Sequence, residues 1–370
     1  MILLNFKIKD NVLIDILDRT ITKAVIPNGV EEIGSLAFDG CALLTEVIIP
    51  KTMVKISDNS FRDCISLKEI YIPDSVTYIG CGVFHGCESL QNIRLPKDLK
   101  RINCQTFWGC STLKEINLPE GLTYIGDSAF KNCTSLESIV IPNGVEDIGC
   151  DVFLNCNLLK RVVLPNNIKV IKKQMFKNCK LLTDISIPDS VQHIESSAFL
   201  RCSSLKEIII PASVKLIDSA VFFQCKSLKR VRLPEGLVHI NEALFSECIS
   251  LENIEIPNTV KIIDSGAFEY CTLLREINIP DGVEEIRPTA FYDCYSLRKI
   301  RLPKLKKKSF KSAFRCLSNI PELIYNGTQK EFEEMFRDKS YLSHFITDTY
   351  HNPMLPPIHC IDGVYNIKVY

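Results

Sequence analysis

Seventeen cysteines and six histidines are the residues of this chain best suited to chemistry. Cysteine thiolates act as nucleophiles and metal ligands, and paired thiols form disulfides. A structural zinc site wants clustered ligands such as Cys-x-x-Cys pairs, and none of the cysteines forms one. His193 and His239 occupy equivalent positions 46 residues apart, two coils of the repeat derived below and about 10 Å along a stacked sheet, too far to share an ion. His344, His351, His359 and Cys360 gather near the C-terminus, where a metal site or an enzymatic site is the alternative to ordinary packing; their spacing matches no established ligand pattern. Cys81 and Cys104 share a second repeat position, as does Cys150, and the first two form a candidate thiol pair. The chain has no glycine-rich phosphate loop, nucleophile elbow or paired-carboxylate motif. We therefore assign no catalytic, cofactor-binding or metal-binding residues, expect no cofactor, and expect a protein that is not an enzyme.

The remaining cysteines acquire meaning from their spacing. Thirteen prolines recur at a step of 23 residues, from Pro27 and Pro50 to Pro303. Eleven residues after each stands a phenylalanine, Phe38 through Phe314. A cysteine follows the first twelve prolines at fourteen residues, Cys41 through Cys294, and a leucine at seventeen, Leu44 through Leu297. No insertion interrupts the count, so these cysteines share one structural position rather than one reactive site.

Within a unit, Ala37, Phe38, Cys41 and Leu44 have the spacing of one face of a short helical turn. Val47 and Ile49 alternate with Glu46 and Ile48, the period of a strand. Pro50 has no N–H for a ladder and ends that strand. Turn formers follow, such as Asn28-Gly29 and Asp281-Gly282. Met53 and Ile56 then bring the chain back to the core. One such unit cannot bury its own apolar face, but a stack of them can. The expected fold is an α/β repeat solenoid, a right-handed superhelix with a parallel sheet on one face and short helical turns on the other. The ladder cysteines then read as small buried hydrophobes with a weak S–H donor, free rather than bridged, which fits a reducing compartment.

The unit A-F-x-x-C-x-x-L-x-x-I-x-I-P-x-x-V-x-x-I resembles the BspA-like branch of the leucine-rich-repeat families, over Ile21 to about Tyr325. Tyr325-Asn326-Gly327-Thr328 and Pro357 to Gly363 resemble the segment that closes such arrays. The resemblance implies partner binding or adhesion at a bacterial or protist cell surface, and it implies no catalytic residues. Met1 to Asp10 lacks the features of a secretory leader, so the sequence points to the cytoplasm while the resemblance points to the surface.

In a solenoid, function is written on the exposed positions between core ones. Two columns on the strand face carry a second period of 69 residues: Lys160-Arg161, Lys229-Arg230 and Arg298-Lys299 in one, Arg232 and Arg301 in the other, with Arg94 on the same step. Most intervening units carry Glu or Asp, so the face is expected to be banded, basic at every third coil. Two readings stand: alternation that keeps like charges off adjacent strands, inherited from a duplicated three-coil block, and an array for an extended or acidic protein partner. From Arg298 to Arg315 there are nine Lys or Arg and no acid, including Lys306, Lys307 and Lys308, a basic patch where the repeat breaks down. These twelve basic residues are the candidate partner-binding set. A purely structural spacer, with no interaction patch, is the third reading.

Over the whole chain, 44 basic residues cancel 44 acidic ones. No global field selects nucleic acid or an anionic membrane, no apolar run is long enough to insert, and no aromatic run lines the face for base stacking. Residues 1–20 read as a capping hairpin, 21–325 as the solenoid and 326–370 as a C-terminal cap. In that cap Thr328 and Glu331 have the spacing of a capping box ahead of Phe332, Met335 and Phe336. The oligomeric state is not encoded in any motif.

Overall fold

A computed structural model of the chain describes residues 6–304, 313–314, 321–335 and 358–365, within two compact units, Met1–Ser190 and Val191–Tyr370. In the first unit, Val47 and Ile49 turn inward while Glu46 and Ile48 face out. That alternation makes Glu46–Ile48 a strand, and it pairs in parallel with Lys23–Val25, Lys23 opposite Glu46 and Val25 opposite Ile48. The same 23-residue register joins Glu69–Tyr71 to Asn92–Arg94, and Ser138–Val140 to Arg161–Val163 and Asp184–Ile185. In the second unit it joins Glu207–Ile209 to Arg230–Arg232 and Glu276–Asn278 to Lys299–Leu302. The ladder lapses at residues 115–117 in the first unit and 253–255 in the second, where no strand forms.

A second parallel ladder was not expected from the sequence. Five and six residues after the first twelve repeat prolines stand two-residue strands, such as Lys55–Ile56 and Tyr78–Ile79, or Arg101–Ile102, Tyr124–Ile125 and Asp147–Ile148. His239–Ile240, Ile262–Ile263 and Glu285–Ile286 continue the pattern in the second unit. The return to the core at Met53 and Ile56 is therefore itself hydrogen-bonded between coils.

The helical turns require correction. Ala37, Phe38, Cys41 and Leu44 do all point inward, but through tight turns rather than a helix. Alternate amides close three-residue turns, with Asp39 N–H donating to the Leu36 carbonyl at 3.0 Å and Cys41 N–H to the Phe38 carbonyl at 3.1 Å. The amides between them leave the coil altogether. Leu36, Phe38 and Gly40 donate to the carbonyls of Asp58, Ser60 and Arg62 in the next coil, at 3.2, 2.8 and 2.8 Å. A left-handed residue nine and thirteen positions after the proline makes this possible, as at Leu36 (φ 62°) and Gly40 (φ 69°). An α-helix needs every amide pointing one way along its own axis; here half point along the stack.

Twelve phenylalanines, Phe38 through Phe291, are fully buried. In the first unit their rings stack at centroid separations between 4.9 Å (Phe38–Phe61) and 5.8 Å (Phe61–Phe84). In the second they run from 5.6 Å (Phe222–Phe245) to 4.8 Å (Phe291–Phe314). Each stacked pair adds about 0.5–1.5 kcal/mol beyond the burial itself. The ladder cysteines do more than fill space. Thiols along the ladder donate to the carbonyl of the preceding coil's phenylalanine, as Cys64 to Phe38 at 3.2 Å, Cys156 to Phe130 at 3.1 Å and Cys225 to Phe199 at 3.2 Å. Burial pushes the Cys225 thiol up to about 12 and its neighbours Cys248 and Cys271 well upward too, so they remain protonated donors.

The ends are closed by different devices. Phe6–Lys9 and Val12–Ile16 form an antiparallel hairpin through Asp10 and Asn11, both left-handed (φ 49° and 60°), and Val12–Ile16 lies parallel to Glu32–Ile33. Phe6 meets the first ring of the spine edge-on at 6.3 Å. Arg19 donates to the outward-facing carbonyl of Asp39. In the second unit Glu322–Tyr325 extends the strand ladder, followed by the helix Gln329–Met335 and the hairpin of Ile358–Cys360 and Gly363–Tyr365. The capping box forms: Thr328 N–H donates to Glu331 at 3.0 Å, and Glu331 N–H to Thr328 Oγ1 at 3.2 Å. Phe332 packs between Tyr325 and Tyr365.

Replacing Cys156 by Ala removes one donor from the buried Phe130 carbonyl and leaves a small void. The expected cost is about 1–2 kcal/mol in urea unfolding, with Cys156→Ser recovering part of it. Equal losses in the two variants would show that the thiol hydrogen bond contributes nothing.

Candidate partner-binding face

The strand ladder places the candidate basic residues as the register demands. Arg161, Arg230 and Lys299 stand in the first outward column, Arg94, Arg232 and Arg301 in the second, and Lys160, Lys229 and Arg298 just ahead of their strands. Lys306, Lys307 and Lys308 lie outside the described residues, as do His344 and His351. Each basic strand faces an acidic or neutral one: Arg161 opposite Asp184, Arg230 opposite Glu207, and Lys299 opposite Glu276 and Glu322. What these registers do with the charge differs between the units.

In the first unit the charges are consumed locally. Lys160 Nζ meets Glu137 at 2.8 Å and Arg161 Nε meets Asp184 at 3.3 Å. The Lys160 hydrogen bond holds the Glu137 carboxyl below the usual carboxylate range. Arg94 is engaged three ways. It bonds Asp74 at 2.8 Å, reaches the Ile72 carbonyl at 3.4 Å and lies over the Tyr71 ring at 4.6 Å. Its guanidinium holds Asp74 below its ordinary value.

In the second unit Lys299 meets Glu322 at 3.7 Å. Lys229, Arg230 and Arg232 are exposed, and no carboxylate lies within 4.0 Å of their nitrogens among the described residues. Arg298 and Arg301 are also exposed and without an ion pair among the described residues. The register that puts Arg230 opposite Glu207 brings no contact there, so the second unit carries the uncompensated charge.

Sequence reasoning missed a groove of about 550 Å³ in the first unit, lined by the outward residues Glu46, Ile48, Glu69, Tyr71, Asn92, Arg94, Glu115 and Asn117. It ends at the lapse in the ladder. The exposed apolar residues Ile48 and Tyr71 were legible one by one, but the lapse beside them depends on hydrogen-bond geometry that no residue type announces.

The other candidates for chemistry stay apart. His193 Nε2 meets Asp218 of the next coil at 3.0 Å. His85 lies 5.0 Å from the Trp108 ring, and Lys131 lies over that ring at 4.5 Å, which gives the lone tryptophan a packing role. His359 and Cys360 stand in the strand Ile358–Cys360. Among the described residues no three His, Cys, Asp or Glu side chains converge as metal ligands. No described helix is long and apolar enough to cross a membrane.

Comparison with known proteins follows the same lines. A family model described as a BspA type leucine rich repeat region (6 copies) matches residues 17–137, 123–252 and 238–351. A search of curated proteins returns no match. Among solved structures, the chain is similar to a leucine-rich repeat protein from Bacteroides ovatus, 32% identical over 96% of this chain and 97% of that one, with a TM-score of 0.75. It is also similar to a leucine rich cell surface protein from Faecalibacterium prausnitzii, 23% identical over 89% and 95% of the two chains, at a TM-score of 0.49. A Treponema pallidum leucine-rich repeat protein is 24% identical over 60% and 86%, at 0.42.

The difference in pairing between units has a chemical readout. Under limiting amine acylation, Lys229 is expected to be modified before Lys160, whose ammonium is held by Glu137. Equal labelling by peptide mass spectrometry would show that the Lys160 pair is not maintained in solution.

Proposed function

The chain belongs to the BspA-type leucine-rich-repeat family, and from that premise we propose that it is a non-catalytic binding module for an acidic, extended protein partner, acting in protein–protein interaction or adhesion. The partner engages the strand face of the second unit. The observation that carries this reading is the cluster of Lys229, Arg230 and Arg232, exposed on and just ahead of one strand and uncompensated although an acidic strand lies beside it. Charges paired within the fold, as at Lys160 and Arg161, have little left to offer a partner. Unpaired ones keep their full attraction and steer association at a distance of about 10 Å in 0.1 M salt. Arg298 and Arg301 repeat the arrangement three coils later, giving an extended acidic chain a second point of attachment.

Poly-L-glutamate serves as the probe. Reversing Lys229, Arg230 and Arg232 to Glu is expected to weaken its binding at least tenfold by fluorescence anisotropy, with circular dichroism unchanged. Reversing Lys160 and Arg161 is expected to change it far less. Undiminished binding in the triple variant would overturn the proposal, as would binding indifferent to added salt.

A further inference from the structure

Eight residues after each proline lies a column whose chemistry differs from that of the ladder cysteines. It reads Ser35, Asp58, Cys81, Cys104, Asp127, Cys150 and Lys173 in the first unit, and Ser196, Ser219, Glu242, Ser265 and Pro288 in the second. Pro288 apart, the other residues are polar, so a cysteine here is not explained as a core hydrophobe. Cys81 and Cys104 are half-buried, whereas the twelve ladder cysteines are buried.

The two thiols stand on consecutive coils in the same register. The Cys81 carbonyl accepts from Asn59 N–H at 2.8 Å, and the Cys104 carbonyl accepts from Gly82 N–H at 2.9 Å, so both backbones are locked into one intercoil ladder. Neighbouring coils in such a ladder lie about 4.8 Å apart. A disulfide spans Cα atoms about 4.4–6.8 Å apart, so the spacing of adjacent coils falls within bridging range. The thiols also interact: burial pushes Cys81 upward most, the Cys104 backbone pulls it down, and the Cys104 thiol pushes it up again. Asp58 of the preceding coil accepts from Cys81 N–H at 2.8 Å and brackets the pair on one side, with Asp127 next in the column on the other. The ladder thiols are buried, and those on either side of the pair, Cys87 and Cys110, donate to the carbonyls of Phe61 and Phe84. Cys150, between Asp127 and Lys173, has no cysteine on an adjacent coil.

We propose that Cys81 and Cys104 form a reversible thiol–disulfide modification site, oxidised by a low-molecular-weight disulfide of the glutathione class. One cysteine thiolate attacks a sulfur of the oxidant, expelling one glutathione thiolate and leaving a mixed disulfide. The second cysteine thiolate attacks the protein sulfur of that intermediate, closing the Cys81–Cys104 bond and expelling the second glutathione. The two protein thiols give up two electrons and two protons, and the oxidant is reduced to two thiols. The product joins two adjacent coils across a 23-residue loop. Those coils can then no longer separate when the stack opens locally.

The test exposes the folded full chain to oxidised glutathione, quenches with acid, alkylates the remaining thiols and maps the peptides by mass spectrometry. The expected result is loss of two of the 17 thiols, a Cys81–Cys104 cross-linked peptide, and full recovery with dithiothreitol. In Cys104→Ser the cross-link is absent and Cys81 carries a glutathione adduct instead. Serine already occupies this column at Ser35 and Ser196, so the variant fits the coil, and circular dichroism checks it. Two separate glutathione adducts on the wild-type protein, or two unreacted thiols at these positions, would overturn the proposal.

Discussion

A carbonyl buried without a donor costs roughly 1–3 kcal/mol, and each coil of this chain carries several that its own residues cannot satisfy. Their partners come from the adjacent coil. Phe38, Gly40 and Leu36 send their amides forward to Ser60, Arg62 and Asp58, and Cys64 sends its thiol back to Phe38. Such bonds form only if equivalent atoms lie side by side in every coil. An extra residue anywhere in the unit would shift the donors of one coil off the acceptors of the next. The unbroken 23-residue step follows from this, and so does the phenylalanine spine, because rings held in register must stack. The thirteen-fold regularity is thus a condition of hydrogen-bond closure rather than a relic of duplication alone.

The same condition explains what could be read from the residues and what could not. Inward positions were legible because apolar types recur there, with Ser60 and Thr106 as exceptions in the Ala37 column, and Ala37, Phe38, Cys41 and Leu44 are all buried. Their spacing, however, is shared by a helix and by a series of three-residue turns. The deciding signal lay in another column. Thirteen residues after the proline the first unit has Gly40, Asp63, Gly86, Gly109, Asn132, Asn155 and Asn178, all types that tolerate a left-handed backbone. In the second unit Arg201, Gln224, Glu247 and Tyr270 hold that conformation with no such preference, so there the stack imposes it. Side chains repay part of the strain. Asn155 and Asn178 each donate to the asparagine before them at 2.8 and 2.7 Å, and Arg201 to Gln224 at 2.5 Å. The second strand ladder escaped notice because two residues are too few to show a period.

Charge was legible as a pattern but not as a balance. The 69-residue banding correctly placed basic residues beside acidic ones in the strand register. The balance lies in the flanking coils: the positions of Glu137 and Asp184, which pair with Lys160 and Arg161, hold Lys206 and Asn253 in the second unit. Lys160 finds Glu137 one coil back, whereas Arg230, with Glu207 one coil back, does not close the pair. The two bands thus share their basic residues but not the neighbours that would pair with them, which gives a neutralised surface in one unit and an unbalanced one in the other. That difference, rather than the count of basic residues, gives the second unit its claim to a partner.

The forward-pointing amides of the turns give the turn face of each unit an electrical direction. A peptide group carries a dipole of about 3.5 D, and in a strand successive dipoles nearly cancel. In these turns the stacked amides all aim their N–H groups toward the C-terminal side and their carbonyls toward the N-terminal side. Their dipoles therefore add along the stack, with a sign opposite to that of an α-helix: the first coil presents the negative pole. Arg19 stands there, its guanidinium on the Asp39 carbonyl, as a cation does at the C-terminal end of a helix. Elsewhere in the coil, amides such as those of Thr45, Val54 and Ser57 donate backward, to Thr22, Glu31 and Ile33. This polarity therefore belongs to the turn face, where the orientation of the backbone rather than side-chain charge makes the first coil suit a cation.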